Sequence, residues 1–130
     1  MILIDTHIWF WWVRADPLLK PAHAQYITAN EANGVGVSII SVWELAMLHK
    51  RGKVTLDRPL PDWVRLALAY PNVQLLDFTP DIAIESVYLP DPFHKDPADR
   101  FLVATARVLN IPIVTQDAKI LAYPHVRCAP

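Results

Sequence analysis

Four carboxylates, Asp5, Glu44, Asp99 and Asp117, stand where a folded chain could gather them. Asp5 directly follows the apolar run Met1 to Ile4, and Asp117 stands two residues past the run Ile111 to Thr115. Glu44 and Asp99 each fall in the first turn of a predicted helix. Carboxylates sharing one pocket repel one another, and some take up protons unless a cation holds them. Cys128 is the only cysteine and no histidine pair lies near these acids, so a ligand set of oxygens points to Mg²⁺ or Mn²⁺ rather than Zn²⁺. Such ions in a carboxylate pocket suit in-line displacement at phosphorus.

Each acid also has a local alternative, since acids at helix starts cap free N–H groups and complement the helix dipole. Ser41-Val42-Trp43-Glu44 has the S-x-x-E form of a capping box. Asp96-Pro97-Ala98-Asp99 reads as cap, first-position proline and dipole acid, and Asp5 and Asp117 could each cap the helix that follows. Ser, Thr or Asn would cap equally well, however. A carboxylate follows three of the four predicted strands and recurs at Asp99, and that repetition favours a shared site.

The elements that must position these acids alternate along the chain. Short apolar runs predict strands over 1–4, 35–38, 73–76 and 111–115, with a last short strand around 125–127. Helical patterns and end signals predict helices over 6–13, 20–32, 41–51, 61–70, 80–89, 97–109 and 117–122. Strands alternating with helices imply a parallel sheet covered on both faces, here a single three-layer α/β domain over residues 1–130. Ligands bind outside the carboxyl ends of the strands in such sheets, where Asp5, Glu44 and Asp117 should lie. Asp99 is harder to place: its helix leads into the fourth strand, which puts its start at the far rim unless the helix crosses the sheet. Its phase nevertheless aims it inward, because positions 99, 102, 103 and 106 share a face and the last three are Leu, Val and Ala.

These residues resemble a known family. Ile4-Asp5-Thr6, the Ser41-x-x-Glu44 segment, the string His94-Lys95-Asp96-Pro97-Ala98-Asp99-Arg100 and Thr115-x-Asp117 are similar to the motifs of the PIN-domain ribonucleases. More narrowly they resemble the VapC-type toxins of toxin–antitoxin pairs. The string at 94–100 is the most specific piece, and the segment from about Lys53 to Tyr88 carries no family signal. The resemblance implies a compact α/β/α sandwich with a short parallel sheet that brings Asp5, Glu44, Asp99 and Asp117 together. It also implies Mg²⁺ or Mn²⁺ held directly by Asp5 and Asp99, Asp96 as a flanking acid, endonucleolytic cleavage of RNA, a homodimer and a small antitoxin partner. Ala98, where many relatives carry a larger apolar residue, and His7 depart from the pattern.

Several other residues admit readings on both sides. Thr6 and Thr115 could orient the neighbouring carboxylates or serve as ordinary cap and strand-end hydroxyls. Arg100 is expected to pair structurally with an acid, and His94 to be a loop residue without a chemical role. Lys50, Arg51 and Lys53, with Arg14 and Lys95, could form a rim for RNA phosphates. Trp9, Phe10, Trp11 and Trp12 are consecutive, and one helix cannot turn all four into one core, so an exposed interface for a second copy or an antitoxin is expected.

Bulk properties bound the rest. A net charge of −1 is not the basic balance of a typical nucleic-acid binder, so metal and local cations must offset the acids. No run approaches the about 20 apolar residues of a membrane span. No basic segment precedes an apolar stretch at the N-terminus, and a cytoplasmic location is expected. Two rivals stay open: another Mg²⁺-dependent phosphoryl-transfer enzyme, and a receiver-like module with an acidic pocket. The second would want a lysine closing a late strand, where this chain has Thr115-Gln116-Asp117.

Overall fold

Parallel strands buried on both faces read as unbroken apolar runs, and three of the four strands here do so. A computed structural model describes all 130 residues, Met1–Pro130. Strands β1 (Ile2–Ile4), β2 (Val35–Ser38), β3 (Val73–Leu76) and β4 (Ile113–Val114) form one parallel sheet in the order β3-β2-β1-β4. Ile4 lies opposite Val37 on one side and Val114 on the other, so β1, β2 and β4 end at one rim. β3 is an edge strand and is only half buried. A Cβ at Gly36 of β2 would meet Leu76 Cδ1 at 2.7 Å and the Ile2 carbonyl oxygen at 3.2 Å, so a larger residue there would make the Leu76 side chain move.

The connections are helical: α1 (Thr6–Val13), α2 (Pro21–Asn30), α3 (Ile39–Lys50), α4 (Leu60–Leu68), α5 (Pro80–Val87), α6 (Pro97–Leu109) and α7 (Ala118–Leu121). Alternation along β1 divides the core. Ile2 and Ile4 join Ile8, Trp9, Ile27, Leu45 and Trp63 on one face. Leu3 joins Ile82, Leu102, Val103, Ile113 and Ile120 on the other. Helices therefore cover both faces, and α3 touches both α1 and α6. No helix is long and apolar enough to cross a membrane.

Four expectations are corrected. The capping box at Ser41–Glu44 does not form. α3 starts at Ile39, Ser38 accepts from the Ile40 N–H at 3.0 Å, and Glu44 lies beyond the first turn. The second helix stops at Asn30, followed by a turn of 3-10 helix over Glu31–Asn33. β4 is only two residues long, and the tail contributes one bridge, Ile113 to Cys128, in place of a strand at 125–127. The aromatic run of α1 is not exposed. Trp9 and Phe10 are buried, Trp11 and Trp12 half-buried, because α4 lies against the helix: Trp63 packs on Trp9 at 5.3 Å and on Phe10 at 5.7 Å.

Candidate active site

Asp5 is held from three directions. Its backbone N–H donates to the Val114 carbonyl at 3.1 Å, tying the end of β1 to the end of β4. Its Oδ1 accepts from the Ile8 N–H at 2.9 Å and caps α1, while its Oδ2 accepts from the Thr115 hydroxyl. The side chain is buried, and burial raises its pKa against the pull of these two hydrogen bonds, with the charge of Glu44 raising it further. Cap and site are thus compatible readings of Asp5.

Thr115 links two of the acids. Its Oγ1 donates to Asp5 and accepts from the Asp117 N–H at 3.0 Å. Asp117 in turn caps α7, its Oδ1 accepting from the Lys119 and Ile120 N–H groups at 2.9 and 3.1 Å. Glu44 is fixed from α1, since its Oε1 accepts from the Thr6 hydroxyl, and Thr6 Oγ1 shares a hydrogen bond with the buried Ser41 Oγ at 3.0 Å. Ser41 and Glu44 thus share a face one turn apart. Their spacing is the visible signal, but its partner is Thr6 rather than the helix's own backbone.

Asp99 stands at the same rim, and the physical reason corrects the sequence expectation. A helix that returns the chain to the start of a parallel strand runs antiparallel to it, so α6 begins above the carboxyl end of β4. Asp96 Oδ1 accepts from the Asp99 N–H at 3.2 Å and caps the helix. The Asp99 carboxyl is pushed up to about 7, first by burial and then by the charges of Asp96, Asp117, Glu44 and Asp5. Asp5 and Asp117 are joined through Thr115, Glu44 is tied to α1 through Thr6, and Asp99 follows its cap Asp96 into α6.

His94, expected to be idle, lies with Nε2 3.0 Å from Asp99 Oδ2. The separation is that of an ion pair, but the angle is not that of a hydrogen bond, and Nε2 has no hydrogen-bond partner. Arg100 is structural, though not through a carboxylate: its guanidinium donates to the carbonyls of Ser86, Val87, Phe93 and His94. Gln116, which the sequence did not single out, accepts from the Lys20 N–H at 2.9 Å and donates to the Leu18 carbonyl at 3.1 Å, fastening the turn before α2 to the rim. The expected phosphate rim does not assemble as a set. Arg14 faces Asp16 at 3.5 Å and the Thr55 carbonyl, and Lys50, Arg51 and Lys53 are exposed at the end of α3.

The residues present fit a hard divalent cation. The donors are carboxylate and hydroxyl oxygens, which hard divalent cations prefer. No three of the acids, histidines and cysteines close into a ready-made cage. A cleft of about 660 Å³ between α1, α4 and the 55–58 stretch is lined by Phe10, Arg14, Trp63 and Tyr70 but by none of the four acids.

Comparison with known proteins follows the same lines. Residues 2–126 match the family model of the PIN domain. The chain is 32% identical over 126 residues to Ribonuclease VapC22 of Mycobacterium tuberculosis, covering 97% of this chain and 94% of that protein. Among solved structures, VapBC2 from Rickettsia felis bound to a promoter DNA fragment superposes with a TM-score of 0.73 at 16% identity, over 99% of this chain and 98% of that one. FitAcB from Neisseria gonorrhoeae gives 0.71 at 18% identity, over 100% and 97%. With the family model spanning nearly the whole chain and a curated relative above 30% identity, the protein belongs to the PIN-domain family.

Proposed function

We propose that residues 1–130 act as one ribonuclease domain of the VapC type, which hydrolyses RNA phosphodiester bonds at the acidic rim. The observation that carries this reading is the hydrogen-bonded set of acids after the strands, where Thr115 ties Asp5 to the Asp117 backbone and Thr6 ties Glu44 to α1. Asp5 and Asp99 are the residues that would hold Mg²⁺ or Mn²⁺, and Glu44 and Asp117 flank them. When bound, the ion supplies charge neutralisation and Lewis acidity at the phosphoryl group. The chain's own residues do the positioning. Thr115 fixes the Asp5 carboxylate, the Thr6–Ser41 pair fixes Glu44, and Asp96 holds the start of α6 so that Asp99 faces the rim. Hydrolysis adds a water oxygen to phosphorus and opens one bridging P–O bond.

The relatives also support a protein partner. VapC22 is named a ribonuclease, and the R. felis structure is a VapB–VapC complex on DNA. This chain is accordingly read as the toxin of a pair, inhibited by a cognate antitoxin. A homodimer is part of the same reading, and the exposed Ile84, Val87 and Tyr88, on α5 and its C-cap at helical spacing, are apolar surface that would serve it.

The test is Asp99→Asn, which keeps the shape and removes the charge. As a dipole acid alone, Asp99 would contribute about 0.3–1 kcal/mol to stability and its loss would spare cleavage. As a metal-holding residue, its loss should lower Mg²⁺- or Mn²⁺-dependent cleavage of single-stranded RNA by several orders of magnitude, while the protein stays folded. Full metal-dependent cleavage by a folded Asp99→Asn protein would falsify the site.

A further inference from the structure

A polyanion cannot approach a rim of carboxylates unless cations lie close by, and six of the chain's seven arginines are engaged elsewhere. Arg14, Arg58, Arg65 and Arg107 each pair with an acid, and Arg100 and Arg127 donate to backbone carbonyls; Arg51 is exposed at the end of α3. The lysines differ: none lies within ion-pair distance of any acid. Three of them are carried to the rim by their own backbone. Lys20, at the start of α2, donates its N–H to Gln116, the residue between Thr115 and Asp117. Lys119 donates its N–H to the Asp117 carboxylate at 2.9 Å. Lys95 directly precedes Asp96, whose carboxylate caps the N–H of Asp99. All three side chains are exposed.

We propose that Lys20, Lys95 and Lys119 form a cationic collar around the acidic rim and hold the RNA phosphates on either side of the bond to be cut. This rests on the ribonuclease reading and adds to it the residues that bind the substrate's backbone. The three lysines come from three elements, the start of α2, the loop before α6, and α7, so they border the acids rather than form one patch beside them. A lysine ammonium is a compact charge on a flexible stem and lacks the planar fork of arginine. Contacts of this kind position a strand without reading its bases. The collar therefore supplies affinity and register, and no base preference.

The experiment is a salt titration of binding to a short fluorescein-labelled single-stranded RNA of mixed sequence, with Ca²⁺ present to neutralise the acids without supporting turnover. Single-strand binding loses about 0.7 units of slope in log K against log salt for each phosphate contact removed. The Lys20→Gln/Lys95→Gln/Lys119→Gln protein should show a slope shallower by about 2 and bind about a hundredfold more weakly at about 0.1 M salt. Lys50→Gln/Lys53→Gln, which removes charge at the end of α3, should leave the slope unchanged. An unchanged slope in the triple variant, or equal flattening in the Lys50/Lys53 control, overturns the collar and leaves the ribonuclease reading standing. Wild-type protein that neither binds nor cleaves RNA with Mg²⁺ or Mn²⁺ overturns both.

Discussion

Asp5 and Asp117 divide their oxygens between helix and site. Asp5 gives Oδ1 to the first turn of α1 and Oδ2 to Thr115, while Asp117 caps α7 through Oδ1 alone. Capping and catalysis compete as explanations of an acid at a helix start, yet the cap occupies only one oxygen of each carboxylate and so does not exclude the proposed role. Asp99 differs, because its N–H is capped by Asp96 and its carboxyl is left to its neighbours. That difference has a measurable sign. Its folded pKa lies near 7 against an ordinary 3.8, so the folded state binds the proton more tightly than the unfolded chain does. Without metal, its contribution to stability is favourable at low pH and is lost as pH rises from about 4 through about 7. In EDTA, the melting temperature of Asp99→Asn should therefore gain on wild type across that window and run parallel to it above. A constant offset at all pH values would show that Asp99 is not raised. The caps that Asp5, Asp96 and Asp117 supply were legible from type and position. The Ser41–Thr6 pair was not, because a hydrogen bond across 35 residues leaves no local pattern.

At the scale of elements, the alternation of apolar runs predicted every strand and helix to within a few residues, and the errors have physical causes. The start of α3 was misread because Ser38 and Ser41 are both competent caps, and the strand's end decides between them. The exposure of the α1 aromatics was misread because periodicity describes one helix, while Trp63 and Tyr70 come from or just after α4 and cover two sides of its neighbour. Arg100 shows the same limit, since its four carbonyl partners belong to the end of α5 and the loop at 93–94. It joins α5, this loop and α6 at one point, close behind the acids. Hydrogen bonds from a charged group contribute about 1.5–3 kcal/mol each at most, and these share one partly exposed donor. Arg100→Ala should thus lower stability by about 2–3 kcal/mol, and Arg100→Lys should recover little, because an ammonium cannot span the four carbonyls. Chemical denaturation of both variants measures this; a full recovery in the lysine protein would show that charge alone matters there.

For the whole molecule, the proposed metal site would couple folding to metal. A ligand that binds only the folded state stabilises it by about 2.7 kcal/mol at a concentration a hundredfold above its Kd. Saturating Mg²⁺ or Mn²⁺ should raise the melting temperature of wild type, and the rise should vanish in Asp5→Asn/Asp99→Asn. Equal rises in both would place the bound ion elsewhere. The order of the sheet has a further consequence. β1 is made first but sits between β2 and β4, and the Asp5 carboxylate gains Thr115 only across 110 residues of chain. Long-range pairings of this kind form late in folding. During translation, Asp5 leaves the ribosome long before α6 and β4 exist to complete its surroundings. A nascent chain is in effect an unarmed one, and any premature stop ahead of β4 releases a fragment without a working site. Any activity seated at Asp5 therefore waits until β4 and Thr115 have been made.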